Sequence, residues 1–186
     1  LQKTEQYVDM ALQYLRLDSA SSDFVFKEYS LDDILKQALR EYSGMFIRKR
    51  IALNYRQTGI TVVTDEKWLL FVIGQILSNA LKYTRTGGIE IWLEDERGNR
   101  TSNTAPAILV IADTGIGIQA EDLPRIFEKG YTGVNGREDN RATGIGLYLC
   151  KQVLTKLGHT IRITSEPGKG TQVWIGFSLQ KIDIRD

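Results

Sequence analysis

The chain is poor in the residues from which reactive and covalently braced sites are usually built. Its 186 residues include one cysteine, Cys150, and one histidine, His159. A lone thiol cannot close a disulfide within the chain and suits a reducing compartment. One imidazole gives no zinc-ligand spacing, and it leaves no Ser-His-Asp triad to argue. An excess of either charge is missing too: 24 Lys+Arg stand against 23 Asp+Glu, a formal net charge of +1. Such a balance gives no general attraction for nucleic acid or a membrane surface, so nucleic acid is not an expected partner. No apolar run approaches the ~20 residues of a bilayer-spanning helix, and no signal peptide opens the sequence. The first residue is Leu1 rather than Met, which suggests a piece of something longer.

What is present is an ordinary globular composition, 42% hydrophobic and 25% charged. It suits one full domain with a short appendage. Residues 1–17 carry Tyr7, Met10, Ala11, Tyr14 and Leu17 at helical spacing. That helix fits equally a core-packed terminus or half of a helical hairpin. The small polar run 18–23 is the best boundary candidate. Beyond it, a strand is expected at 24–29, and Ser30 can cap a helix from 31 to about 47. Strands follow at 51–56 and 61–64, and Asp65 can cap a helix over 66–83 closed by Gly87-Gly88. Strands at 89–94 and 107–112 flank a polar hairpin loop, 95–104. A short helix at 123–127, a mobile loop at 130–143 and an apolar helix at 145–157 precede strands at 160–165 and 171–179. Without a steady βαβ rhythm, this order predicts an α+β fold, a two-layer α/β sandwich whose mixed sheet has helices on one face. One N-terminal helix precedes it.

Four segments could carry chemistry. In the 66–83 helix, Gln75, Asn79 and Lys82 share one side, where an amide oxygen and an ammonium could hold Mg²⁺ and a phosphate. A solvated polar stripe is the ordinary alternative. Asp113-Thr-Gly115-Ile-Gly117-Ile118 follows an apolar strand, placing an acceptor beside backbone that a flat ring can approach. A carboxylate there favours adenine's N6 amine over guanine's O6. Thr143-Gly144-Ile145-Gly146-Leu147 turns a loop into a helix, whose free N–H groups and dipole favour a polyphosphate. Lys129, Arg137 and Arg141 precede it and could fold over phosphates, although a solvated loop is the better reading of Arg137. Gly168-Lys-Gly170-Thr171 is by default a hairpin turn, with Thr171 within reach of a base beside Asp113.

Each signal is common, but their order is specific. Gln-Ile-Leu-Ser-Asn-Ala-Leu-Lys-Tyr over 75–83 resembles the N box of the sensor histidine kinase ATP-binding domain. Asp113 to Ile118 resembles its first glycine box, Arg-Ile-Phe-Glu-Lys-Gly-Tyr over 125–131 its F box, and 143–147 and 168–171 its later glycine boxes. The resemblance covers the chain from about Phe24 onward and implies the Bergerat ATP-binding fold, shared with DNA gyrase and MutL. Residues 7–17 are similar to the second helix of the kinase dimerisation hairpin. With 127–137, they look most like the intramembrane-sensing kinases that monitor peptide antibiotics in Gram-positive bacteria. The implied division is 1–20, a hairpin remnant, and 21–186, the catalytic ATP-binding domain.

By that resemblance, Asn79 coordinates Mg²⁺, Lys82 touches phosphate, and Tyr83 lines the nucleotide pocket. Asp113 binds the adenine amine and Thr171 assists. Gly115, Gly117 and Ile118 shape the pocket floor and lid hinge. Phe127, Lys129, Gly130, Tyr131 and Arg141 belong to the lid, and Thr143, Gly144, Ile145, Gly146 and Leu147 cradle phosphates. ATP and Mg²⁺ are the implied cofactors. The implied reaction moves the γ-phosphoryl to a histidine and then to an aspartate of a response-regulator receiver domain. A homodimer, a membrane transporter or sensor partner, and a cytoplasmic domain of a plasma-membrane protein are implied as well. The alternatives are a non-catalytic nucleotide-binding switch and another kinase or ATPase of the same superfamily.

Two departures from the pattern matter. Gln75 stands where gyrase-like ATPases carry a water-activating glutamate, and an amide is no general base. His159 lies at a strand start, is expected on the surface or in a turn, and does not match the acceptor position. The tryptophans 68, 92 and 174 and Cys150 read as packing residues. Incubation with labelled ATP is therefore expected to leave the isolated chain unlabelled. Stoichiometric phosphohistidine at His159 would overturn that expectation.

Overall fold

The computed structural model describes residues 9, 12, 24–103, 107–133 and 143–177. Asp9 and Leu12 are helical; the rest of the expected opening helix lies outside the described residues. The chain then runs β1 (Lys27–Ser30), α1 (Leu31–Lys49), β2 (Ala52–Tyr55), β3 (Thr61–Thr64) and α2 (Glu66–Tyr83). It continues with β4 (Gly88–Glu94), β5 (Arg100–Thr101), β6 (Ile108–Asp113) and a 3-10 turn (Leu123–Arg125). It closes with α3 (Gly146–Lys156), β7 (Thr160–Glu166) and β8 (Gly170–Gly176).

Local chemistry explains the helix starts. Ser30 Oγ accepts the Asp33 N–H at 3.3 Å, and Asp65 accepts the Trp68 N–H at 3.2 Å, each satisfying an orphan donor of a first turn. Asp65 also takes the Val25 N–H at 2.8 Å, tying the chain before β1 to the start of α2. The α2 helix does not end on glycine as the sequence suggested. Thr84 leaves it in an extended conformation, and Gly88 already opens β4. The polar 95–104 loop likewise contains a strand, because β5 pairs back onto β4.

The larger sheet has the order β2-β4-β6-β8-β7, with β5 beside β4, while β1 and β3 form a separate pair. Only β2 with β4 is parallel, so the sheet is mixed. Its side chains fall into rows across the strands. On the helix-facing side, Leu93, Leu109, Ile175 and Ile161 form one row, and Ile91, Ile111, Val173 and Ile163 the next. These rows pack against α2 and α3, whose Leu69, Ile73, Leu77, Leu149 and Val153 are fully buried. The following row starts with Ile89 but continues Asp113, Thr171, Ser165. The hydrophobic ladder therefore ends in three polar side chains at one end of the sandwich.

No described helix covers the other face, which seals itself. Trp92, Val110, Trp174 and Arg162 stand in register across it. Glu94 accepts both indole N–H groups, at 2.9 Å from Trp92 and 3.1 Å from Trp174. Arg100 and Arg162 lie over the two indoles, 4.2 and 4.1 Å from the ring centroids. Val110 between them is 0% exposed. Burying a side chain of that size contributes roughly 1.5–3 kcal/mol.

His159 departs from expectation. It is buried, because Gly158 (φ +76°) turns the chain back so that the imidazole packs edge-on to Phe177 at 5.1 Å. Its Nε2 lies 3.1 Å from Thr64 Oγ1, and Nδ1 has no partner among the described residues. Burial pushes its pKa from an ordinary 6.5 down to about 4. Across that window the unfolded chain binds a proton that the folded chain refuses, so stability falls as pH drops. The melting temperature should decline between pH 6.5 and 4, by the equivalent of up to roughly 3 kcal/mol. His159→Gln should show a flatter profile in thermal melts over the same range.

Candidate functional site

Asp113 is the last residue of β6, placed by the sheet register where the apolar rows stop. Its Oδ1 accepts the Gly115 N–H at 2.8 Å and the Thr171 N–H at 3.2 Å. Its second carboxylate oxygen takes no hydrogen bond from any described residue. Burial pushes the carboxyl pKa up, and the two N–H groups pull it only partly back. The result is a fixed, half-buried acceptor with one oxygen free.

Close backbone contacts build the walls around it. A Cβ on Gly115 would stand 2.7 Å from both Tyr83 O and Asp113 Oδ1, so only glycine lets this turn lie against the end of α2. Ile116 N–H donates to Tyr83 O at 3.1 Å, and Gly168 N–H to Ile116 O at 2.8 Å. Gly170 has φ +102°, and a Cβ there would meet Asp113 O at 1.9 Å. The end of α2, the 113–118 turn and the 166–171 hairpin thus share one recess, with Asp113, Gly115, Gly117, Ile118 and Thr171 in it.

On α2, Asn79 is half-buried and its side-chain amide has no hydrogen-bond partner among the described residues. Lys82 is exposed, its ammonium 5.0 Å from the half-buried Tyr83 ring. Gln75, on the same side of α2 but one turn before Asn79, lines a shallow cavity of about 210 Å³ between α1 and α2 with Glu41, Tyr42, Lys67 and Phe71.

The glycine-bearing loop residues form a second group. Gly130 N–H donates to Gly144 O at 3.0 Å, and Gly144 (φ +66°) has no room for a Cβ, which would lie 2.4 Å from the Gly130 carbonyl carbon. Thr143 Oγ1 accepts the Ile145 N–H at 3.4 Å. No side chain caps α3, so the N–H groups at Gly146 and Leu147 open a helix terminus suited to an anion. Phe127 lies under the Lys151 ammonium at 5.1 Å, and Tyr131 donates its hydroxyl proton to Asp122. Lys129 is exposed. Arg137 and Arg141 lie outside the described residues. Helix α3 packs on α2, with Cys150 Sγ 3.9 Å from Val72 O. Burial raises that thiol's pKa to about 12, so it is a packing residue and not a nucleophile.

No cluster of three or more His, Cys, Asp or Glu side chains suited to a metal ion occurs among the described residues. The unpartnered Asn79 oxygen does fit Mg²⁺ shared with phosphates, which needs only one or two protein oxygens.

Sequence reasoning missed two supporting residues. Lys49, at the end of α1, donates from Nζ to Leu81 O and, at 3.4 Å, to Lys82 O, neutralising the carbonyl end of α2 beside the recess. Ser165 contacts Ile118, Gly170 and Thr171 at once. One reads as an ordinary basic last turn and the other as a polar strand position, so neither carried a local signal.

The comparisons fit this geometry. The family model described as "Histidine kinase-, DNA gyrase B-, and HSP90-like ATPase" matches residues 64–181. Sensor histidine kinase YxdK of Bacillus subtilis is 33% identical over 189 residues, covering 95% of this chain and 54% of that protein. Sensor protein kinase GraS of Staphylococcus aureus is 37% identical over 174 residues, covering 93% of this chain and 48% of that protein. The chain therefore spans about half the length of these curated relatives. Full-length ShkA in complex with AMPPNP superposes with a TM-score of 0.74 at 23% identity, over 91% of this chain and 34% of that one. The catalytic domain of histidine kinase ThkA gives 0.68 at 18% identity, over 83% of this chain and 95% of that one. The matched span runs from β3 through α2, the Asp113 recess, α3 and β8, and on that basis the chain belongs to the histidine kinase, DNA gyrase B and HSP90-like ATPases.

Proposed function

We propose that residues 21–186 are the ATP-binding catalytic domain of a membrane-linked two-component sensor histidine kinase, and that 1–20 continue its dimerisation hairpin. The observation that carries this reading is the free oxygen of Asp113. It is an acceptor beside Gly115 and Gly170, where a Cβ would collide with neighbouring chain, and it suits the N6 amine of adenine. Asn79 and Lys82, on the adjoining last turns of α2, are then placed for Mg²⁺ and phosphate. The uncapped start of α3 adds N–H groups for the polyphosphate. Bound Mg²⁺ would neutralise developing charge on the phosphates. This chain's own residues position the nucleotide, and phosphoryl transfer asks for little else. Gln75 offers no general base, which favours transfer over hydrolysis.

The acceptor is a histidine supplied from outside these residues, since His159 is buried and held near Thr64. Relay to a response-regulator aspartate, dimerisation, a plasma-membrane anchor and a role in sensing peptide antibiotics belong to the same proposal, supported by the sequence resemblance and by relatives named as sensor kinases. The receiver domain is the partner this reading requires.

Asp113→Asn should weaken ATP binding by about 10- to 100-fold, the range for a hydrogen bond to a charged group, as read by calorimetry. Because burial opposes the Asp113 charge, the same variant should melt no lower than the unaltered chain. Its nucleotide affinity should also lose the fall on acidification that the unaltered chain shows above the usual carboxylate range, since protonating Asp113 removes the acceptor. Asn79→Ala should abolish most of the Mg²⁺ enhancement of ATP binding and leave metal-free binding within about twofold. Full Mg·ATP affinity in that variant would take Asn79 out of the metal site.

A further inference from the structure

Ser165 Oγ makes three contacts of 2.8 Å: with Gly170 O, Ile118 N and Thr171 Oγ1. A hydroxyl has one proton and two lone pairs. The Gly170 carbonyl can only accept, so the Ser165 proton goes there. The Ile118 N–H can only donate, so it takes one lone pair. Only a lone pair remains for Thr171, which must therefore be the donor. The single hydroxyl proton of Thr171 is thereby directed at Ser165, and its own lone pairs are left as acceptors. Thr171 and Asp113 are cross-strand partners in the polar row, and one Asp113 oxygen is likewise a free acceptor. The Asp113–Thr171 pair thus presents two acceptors side by side.

We infer that Ser165 is a specificity-determining positioning residue: by fixing the Thr171 hydroxyl as an acceptor it selects a 6-aminopurine over a 6-oxopurine nucleotide. The inference rests on adenine binding at Asp113, as proposed above. An amino group, or a water that donates to the recess, satisfies two acceptors. A 6-oxo group meets like poles from both. Without Ser165 the Thr171 proton is released, and the hydroxyl can turn to donate to an oxo oxygen.

The test compares ATP with inosine 5′-triphosphate, which carries an oxygen in place of the 6-amino group, by calorimetry on the full chain. The unaltered chain should prefer ATP. Ser165→Ala should reduce that preference about tenfold, chiefly by improving inosine triphosphate relative to ATP, and Ser165→Thr should retain it. Thr171→Val should also narrow the preference, and adding Ser165→Ala to it should change the ratio no further, because Ser165 acts through that hydroxyl. Ser165→Cys serves the same comparison if the alanine variant does not fold. An unchanged ratio in Ser165→Ala, with both nucleotides weakened alike, overturns the inference and reduces Ser165 to a brace for Ile118. In that event Asp113→Asn still losing ATP would leave the adenine reading intact. Failure of the unaltered chain to bind either nucleotide would overturn both.

Discussion

A carboxylate set at the end of a hydrophobic ladder is the constraint on which the recess depends. Asp113 shares its row with Ile89, and the two rows beside it are wholly aliphatic. An ionised group in that position loses hydration, and the fold returns only part of it through the Gly115 and Thr171 N–H groups. One oxygen is left wanting a donor. A domain selected for stability alone would have continued the ladder with another aliphatic residue, as stability and binding sites commonly conflict in this way. The glycines follow from the same demand. Gly115 and Gly170 bring backbone so near to Asp113 that a Cβ at either would collide with the neighbouring chain.

The rest of the molecule stiffens that end of the sandwich. Lys49 holds the last carbonyls of α2, so the turn carrying Tyr83 is anchored from α1 as well as from Ile116. The far face of the sheet carries no described helix and needs none, since Glu94 joins two indoles over Val110 while two guanidiniums cover them. That arrangement keeps β4, β6 and β8 in one register, and register is what sets Asp113 opposite Thr171. At the start of α1, the buried Asp32 plays a comparable part. Its carboxylate accepts the Thr58 and Gly59 N–H groups at 2.9 and 2.8 Å and so fixes the β2–β3 connection. Desolvation works against that charge, yet these hydrogen bonds hold its carboxyl below the usual range.

The proposed nucleotide site has two differently built halves. The base end is made of strand ends and tight turns, where most groups are paired and one Asp113 oxygen and the Thr171 lone pairs are left as acceptors. The phosphate end is a helix start with its N–H groups uncapped, reached through the Gly130–Gly144 contact. A base is recognised by a fixed pattern of donors and acceptors, which rigid strands supply. A polyphosphate is held by charge and many N–H groups, which a glycine-bearing loop can gather around it.

Much of this was legible along the chain because it depends on near neighbours. Ser30 and Asp65 announce α1 and α2, alternation marks the strands, and Asp-x-Gly-x-Gly and Gly-x-Gly mark where backbone must pass close to something. Local sequence determined most of the elements, their order and the mixed sheet, though not β5, and it marked Asp113 and Thr171 as candidates. Only the tertiary structure decided which polar groups meet. Asp113 and Thr171 are 58 residues apart and pair through the register of β6 with β8. Ser165 joins them through β7, and Lys49 reaches the end of α2 from another helix. His159 looked like a surface turn residue and is buried because Gly158 folds it under Phe177. A hydroxyl's role as donor or acceptor depends on every partner at once, and those partners are brought together only by folding.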